Sequence, residues 1–108
     1  MKNLLFICSQ NKLPSPTAEH IFKNYENFDV RSAGLDSDAV YTLSSDEIIW
    51  ADIIFVMENR HKNKLQKKFK TYLKDKKLYI LNIPDEYDYM DDELIKILKK
   101  KIPKYITL

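Results

Sequence analysis

Cysteine, glycine and tryptophan are the scarcest residues of this chain, since each occurs only once among 108 residues. A single cysteine, Cys8, cannot form a disulfide within the chain, which is typical of proteins kept in a reducing cytoplasm. The one glycine, Gly34, predicts a backbone role at that position, either a positive φ or the close approach of another segment. Long apolar runs are also missing. The run from Leu4 to Cys8 is too short for a signal-peptide core or a membrane span, so we expect a cytoplasmic protein without membrane contact.

A strong charge imbalance is missing too. Eighteen lysines and arginines against sixteen acidic residues give a net charge of +2, too small to imply nucleic acid as a partner. Many lysines follow Arg60, and we interpret them as solvated helix faces, with a docking surface for an acidic partner as the alternative. The length and the 44% hydrophobic content predict a single domain over residues 1–108 with one modest core.

Four short segments predict β-strands, at residues 4–7, 28–32, 52–57 and 77–81, and the first and third of them are apolar along most of their length. Helix patterns alternate with them and begin near Ser15, after Ser44, near His61 and after Asp91 or Asp92. This alternation predicts an α/β fold of three layers, with a four-stranded parallel sheet between helices, and a central first strand would make the fold doubly wound. In such folds ligands bind beyond the carboxyl ends of the strands.

The segment after the first strand carries the main candidate chemistry. It leads from a buried strand into a helix with Ser15 as predicted N-cap and Pro16 as first helical residue. Successive N–H groups and a helix N-terminus in such a loop can bind an anion, and they favour the nucleophilic thiolate form of Cys8. The Ser15 hydroxyl could then donate to the sulfur, and Asn11 could tie the ends of the loop together. The alternative is that Cys8 is a small buried hydrophobe.

Several motifs follow one another in a fixed order. They are Leu5-Phe6-Ile7-Cys8, Asn11, Ser15-Pro16-Thr17-Ala18-Glu19, Arg31-Ser32-Ala33-Gly34, residues 51–57 and Ile83-Pro84-Asp85-Glu86-Tyr87. Together they resemble the low-molecular-weight protein tyrosine phosphatases, whose opening signature is a Cys, five residues, an Arg, then Ser-Pro and Ala-Glu. The resemblance implies the fold of that family, with the strand order 2-1-3-4, and an enzyme that hydrolyses phosphotyrosine in proteins, or small phosphate monoesters, without a cofactor.

The resemblance also implies roles for particular residues. Cys8 would be the nucleophile that forms a cysteinyl-phosphate. Asp85 would protonate the leaving oxygen and later activate water, with its acidic neighbours favouring the protonated form and Asp88 as the alternative acid. Tyr87 and Tyr89 would line the substrate pocket, unless they are ordinary surface aromatics. The phosphate-binding loop would consist of Ser9, Gln10, Asn11, Lys12, Leu13, Pro14 and Ser15.

The chain departs from the family pattern where the loop should end in arginine, because Pro14 stands there. Proline has no side-chain donor and lacks a backbone N–H, so phosphate binding and turnover should be impaired. Lys12 and Arg31 are weak candidates for a substitute cation. Two further differences are Gln10, at a frequent glycine position, and Leu13, where many members have a second cysteine. The competing hypothesis is therefore an inactive pseudo-phosphatase that binds an anion or a protein.

Two other functions fit the sequence poorly. Arsenate reductases that share this fold need additional cysteines to resolve the cysteine–arsenic adduct, and this chain has none. A metal site is not expected either, because His20 and His61 are far apart and lack the usual ligand spacing. We interpret both histidines as surface or capping residues.

Overall fold

The computed structural model describes residues 2–9, 14–84 and 86–106. Within them four strands and four helices alternate: β1 Lys2–Cys8, α1 Pro14–Phe22, β2 Phe28–Gly34, α2 Ser45–Trp50, β3 Ile53–Val56, α3 Asn59–Phe69, β4 Lys77–Ile80 and α4 Asp92–Lys101. Short 3-10 helices, Lys70–Leu73 and Ile102–Lys104, follow α3 and α4.

The strands form one parallel sheet in the order β2-β1-β3-β4, which confirms the predicted fold class and strand order. Cys8 at the end of β1 pairs with Gly34 of β2, and Ile7 pairs with Val56 of β3. The chain moves from β1 to one side and then crosses back over it to reach β3. The point where the strand order reverses therefore lies at the carboxyl end of β1, where ligands bind in folds of this type.

Alternate residues of β1 face two separate cores, because helices cover both sides of the sheet. Leu4, Phe6 and Cys8 belong to the core under α1 and α4, together with Phe22 and Leu98. Side chains of the opposite parity belong to the core under α2 and α3, which includes Leu5, Ile7, Ile48 and Leu65. This period of two aims Cys8 toward α1, and it aims the next residue along the chain toward α3.

Helix α1 begins two residues earlier than the sequence indicated, at Pro14 instead of Pro16. The first N–H groups of a helix have no intrahelical partners, and proline has φ fixed near the helical value, so both prolines fit the first turn. The prediction that Ser15 precedes the helix is therefore wrong. Ser15 is the second helical residue, and its hydroxyl contacts the sulfur of Cys8.

The capping box predicted before α2 is confirmed, and the pKa of its glutamate, Glu47, is shifted. The Glu47 carboxylate accepts a hydrogen bond from the backbone N–H of Ser44 at 3.2 Å and another from the Ser44 hydroxyl. Burial raises the pKa of Glu47, but the hydrogen bonds from Ser44 and Tyr41 outweigh it and hold that pKa below its ordinary value. The hydrogen bond between Tyr41 and Glu47, together with the negative charge of Glu47, raises the pKa of the Tyr41 hydroxyl.

Gly34 does not have the positive φ that was one of its two predicted roles; among the described residues positive φ occurs at Asn82 and Met90. The other predicted role, close approach, is confirmed. Gly34 pairs with β1 on one edge, and on the other its N–H donates to the Tyr41 carbonyl at 2.8 Å while its carbonyl accepts from Leu43 at 2.8 Å.

The surface agrees with the interpretation of the lysine-rich segment as a solvated helix face, since Lys64, Lys67, Lys68 and Lys70 are exposed. An acidic docking partner for these residues stays a prediction. No helix in the described ranges has the length and apolar character needed to cross a membrane.

Candidate active site

Cys8 is the last residue of the central strand and lies at the sheet edge where ligands are expected. Its side chain borders the α1/α4 core and is 3% exposed. The sulfur is nevertheless 2.9 Å from the hydroxyl oxygen of Ser15, a fully buried residue in the first turn of α1. A hydroxyl at this distance can donate to a thiolate, which is a charge-assisted hydrogen bond. A cysteine that served only as an apolar filler would need no such partner.

The predicted phosphate-binding loop is described only at its two ends. Gln10, Asn11, Lys12 and Leu13 lie outside the described residues, whereas Ser9, Pro14 and Ser15 are placed. Ser9 is nearly buried, and its carbonyl accepts a hydrogen bond from the N–H of Asp36 at 2.9 Å. The Cys8 carbonyl accepts from Leu35 at 2.9 Å. The segment after β2 therefore holds the backbone at the start of the loop.

Pro14 is buried in the first turn of α1, at the position where the resembling family has its arginine. It offers neither a side-chain donor nor an N–H to an anion above Cys8. Helix α1 itself is fixed to the sheet by Glu19, whose carboxylate accepts from the Ser32 hydroxyl at 2.5 Å. The helix is thus well placed beside the sulfur, but the residue at its start lacks the cationic group.

His61 is the residue of this region that sequence reasoning missed. It is 2% exposed, and its Nε2 atom lies 2.9 Å from the Ser9 hydroxyl oxygen. Its Nδ1 atom accepts from the backbone N–H of Glu58 at 3.0 Å, at the start of α3. The prediction of a capping role is confirmed, and the prediction of a surface position is wrong for this histidine. His20 is exposed, as predicted.

A sequence signal for this placement did exist. β1 and β3 are neighbouring parallel strands, so the segments that follow them emerge at the same edge of the sheet. His61 comes shortly after β3, as Ser9 comes directly after β1. A polar residue following each of two adjacent strands is a pattern that predicts proximity.

The acidic loop after β4 docks along α1. The Ile83 N–H donates to the Met57 carbonyl at 2.8 Å, and the Met90 N–H donates to the Thr17 hydroxyl at 3.0 Å. The hydroxyl oxygen of Tyr89 lies 3.4 Å from Nδ1 of His20, in the last turn of α1. The loop thus crosses from β4 to α1 and contacts that helix at Thr17 and His20.

The candidate acid and pocket residues of this loop are placed only in part. Asp85 lies outside the described residues, and its alternative, Asp88, is exposed. Tyr87 is half-buried and packs against the α1/α4 core, whereas Tyr89 is 50% exposed. The two tyrosines therefore differ, with one anchored and the other accessible beside α1.

Arg31 is held away from the candidate site. It pairs with Leu5, three residues before Cys8, which corresponds to roughly 10 Å along the strand. Its guanidinium stacks 4.2 Å from the centre of the Trp50 ring, and the Trp50 carbonyl accepts from Asn3 near the start of β1. Arg31 thus lies toward the opposite end of the strand, and it does not fit the role of substitute cation.

A cleft at the opposite edge of the sheet is lined in part by Lys2, Phe28, Lys77 and Tyr105, and it contains none of the predicted site residues. The amino ends of parallel strands are not where such folds bind substrates. Within the described residues, no three His, Cys, Asp or Glu side chains are grouped so as to hold a metal ion.

The sheet order and the helices that cover it define the fold of the low-molecular-weight protein tyrosine phosphatases. The phosphatase SP-PTP from Streptococcus pyogenes has this fold, with a TM-score of 0.78 and 15% identity over 99% of this chain and 95% of that one. The tyrosine phosphatase Wzb from Escherichia coli K30, solved with phosphate, gives 0.76 and 19% over 94% of both chains. The YwlE arginine phosphatase from Geobacillus stearothermophilus gives 0.73 and 21% over 93% and 90%.

No protein-family model and no curated protein matches the sequence. At identities this low, the likeness to solved structures establishes the fold alone, and function has to be argued from the site.

Proposed function

We propose that this chain is a phosphatase of the low-molecular-weight type, which hydrolyses phosphate monoesters through a cysteinyl-phosphate and is slowed by Pro14. One observation carries the proposal. In a phosphatase fold, the only cysteine of the chain stands at the carboxyl end of the central strand with the Ser15 hydroxyl 2.9 Å from its sulfur.

In the first step the Cys8 thiolate attacks the phosphorus of the substrate. A sulfur–phosphorus bond forms while the bond to the leaving oxygen breaks, and Asp85 gives its proton to that oxygen. The Ser15 hydroxyl donates a hydrogen bond to the thiolate before attack. This hydrogen bond weakens as negative charge leaves the sulfur. In the second step Asp85, now a carboxylate, takes a proton from water, whose oxygen attacks phosphorus. Inorganic phosphate departs, and the Cys8 thiolate is restored.

The magnitude of the impairment follows from the contacts that proline cannot make. An arginine would donate two charge-assisted hydrogen bonds to the transferring phosphoryl group, each worth about 1.5–3 kcal/mol. Their absence removes about 3–6 kcal/mol of transition-state stabilisation, which corresponds to a rate loss on the order of a hundredfold to ten-thousandfold. Because Arg31 is stacked on Trp50, it does not compensate for that loss at the site.

The substrate class proposed here is a phosphotyrosine protein or a small phosphate monoester. Tyr87 is half-buried against the α1/α4 core and Tyr89 is exposed beside His20 of α1, and an aromatic leaving group could stack on either ring. One neighbour in fold is called an arginine phosphatase, so phosphoarginine is a second substrate to compare with phosphotyrosine.

The second candidate function is a pseudo-phosphatase that binds an anion or a protein without turnover. The observation that favours it is the burial of Pro14 in the first turn of α1, where the helix end needs no arginine to be stable. The two candidate functions share the fold and differ only in whether Cys8 catalyses turnover of a substrate.

Hydrolysis of p-nitrophenyl phosphate by this chain and by its Pro14→Arg and Cys8→Ser variants separates the two. The proposal predicts slow turnover that vanishes in Cys8→Ser and rises by about a hundredfold or more in Pro14→Arg. Activity confined to Pro14→Arg would favour the pseudo-phosphatase. Absence of activity in all three forms would reject both the enzyme and its mechanism. Phosphotyrosine and phosphoarginine peptides with identical flanking residues then define the substrate class.

A further inference from the structure

His61 and Ser9 form a buried polar contact between two elements that the sequence places far apart. Ser9 follows the candidate nucleophile directly, and His61 belongs to the first turn of α3. The exposed fractions of the two residues are 8% and 2%, and the Oγ to Nε2 distance is 2.9 Å. A buried polar pair of this kind holds its partners in one arrangement, because separating them would leave both unsatisfied.

The second ring nitrogen of His61 determines which partner donates. The backbone N–H of Glu58 can only donate, so Nδ1 accepts this bond and carries no proton. The ring proton is then on Nε2, and His61 donates to the Ser9 hydroxyl oxygen. Since the hydroxyl oxygen receives this bond, its own hydrogen remains available to an acceptor. The N-terminal end of α3 therefore sets the direction of the Ser9 hydroxyl.

We propose that His61 is a positioning residue for the start of the phosphate-binding loop. It fixes Ser9, the residue directly after the candidate nucleophile, in one orientation. The proposal rests on the phosphatase function above, because it concerns the same site. In this role His61 acts on phosphate binding through its contact with Ser9.

The backbone around Ser9 supports this interpretation. Its carbonyl accepts from Asp36, and the carbonyl of Cys8 accepts from Leu35, so the main chain is held on the β2 side. The side-chain contact with His61 adds a restraint from α3. Asp36 is linked to the same helix through Lys64, whose Nζ lies 2.8 Å from a carboxylate oxygen of Asp36. Helix α3 thus holds both sides of the start of the loop.

Two substitutions of His61 separate positioning from capping. His61→Asn places an amide oxygen near the Nδ1 position, so it can still accept from Glu58 but cannot reach Ser9. His61→Gln places its amide nitrogen near the Nε2 position, so it can still donate to Ser9 but loses the capping bond. A residue needed only for the stability of α3 would tolerate Asn better than Gln, whereas a positioning residue shows the reverse order in anion binding.

The test is the affinity for inorganic phosphate, measured by calorimetry with the melting temperature recorded alongside, in the unsubstituted chain and in the Pro14→Arg background. We expect His61→Asn to weaken phosphate binding by about twofold to tenfold, the contribution of one neutral hydrogen bond, with little change in melting temperature. His61→Gln should retain phosphate affinity and melt lower. Ser9→Ala should weaken binding as His61→Asn does, and the double substitution should add no further loss.

The possible failures are distinguishable. If phosphate binds and His61→Asn leaves its affinity unchanged, or if Asn and Gln weaken it equally, the positioning role is refuted while the proposed function stands. If neither background binds phosphate, the proposed function is refuted, and the inference about His61 is refuted with it.

Discussion

The contact between Ser15 and the sulfur of Cys8 gives a prediction that needs no substrate. Ser15→Ala removes a hydroxyl 2.9 Å from the sulfur and leaves no hydrogen-bond donor on that side chain. A hydrogen bond to a charged group contributes about 1.5–3 kcal/mol to its stability. A less stabilised sulfur anion is intrinsically more nucleophilic, and this offsets about half of the lost stabilisation on a logarithmic scale. The net expectation is an alkylation rate about threefold to tenfold lower.

The assay is alkylation of the native protein by iodoacetamide at neutral pH, followed by mass spectrometry. Cys8 is the only cysteine, so the whole adduct reports on the candidate nucleophile. Alkylation in denaturant is the control, because the unsubstituted chain and Ser15→Ala should then react at equal rates. An unchanged or faster rate for native Ser15→Ala, with equal rates in denaturant, would refute the claim that this hydroxyl stabilises the thiolate.

Three further predictions concern the acid, the helix cap and the displaced arginine. Asp85→Asn should lower turnover of phenyl phosphate by about 10²- to 10⁴-fold, while Asp88→Asn should leave it nearly unchanged. Glu47 has a pKa held below its ordinary value of 4.5, so its contribution to stability is complete above that value and is lost as pH falls through the folded pKa. Glu47→Gln should therefore lower the melting temperature at pH 7 and much less at pH 3. Arg31→Ala should cost about 0.5–1 kcal/mol of unfolding free energy through the lost Trp50 contact, without changing turnover.

Each of these has a clear contrary result. A loss of turnover in Asp88→Asn that equals the loss in Asp85→Asn would remove the assignment of the acid. An equal effect of Glu47→Gln at both pH values would mean that the charged form of the carboxylate is not what stabilises the start of α2. A large loss of turnover in Arg31→Ala would mean that its guanidinium leaves Trp50 and serves the phosphate.

The sheet could be predicted from sequence because its two inner strands, β1 and β3, are buried on both faces. Runs such as residues 4–7 and 52–57 are apolar without alternation, which is what helices on both sides of a parallel sheet require. The order of the strands then followed from the resemblance and from the rules for crossover connections. The apolar runs are local signals, because each can be recognised within a single strand.

The features that were missed depend on contacts between elements. Pro14, Ser15 and Pro16 form an ambiguous helix start, and the contact of Ser15 with Cys8 determines which residue lies inside the helix. His61 has the sequence context of an ordinary capping residue, and only the adjacency of β1 and β3 brings it to Ser9. Gly34 also takes part in a contact between segments, because an isolated bridge pairs it with Thr42 along the edge of β2.

The most direct measurement is the chemical identity of the phosphorylated intermediate. Rapid acid quench of a reaction with p-nitrophenyl phosphate, followed by peptide mass spectrometry, is to be carried out on this chain and on Pro14→Arg. We predict one phosphoryl group on the peptide that contains Cys8, in greater amount in Pro14→Arg and absent from Cys8→Ser. Turnover without any phosphoryl group on Cys8, or a phosphoryl group carried by another residue, would contradict a cysteinyl-phosphate mechanism.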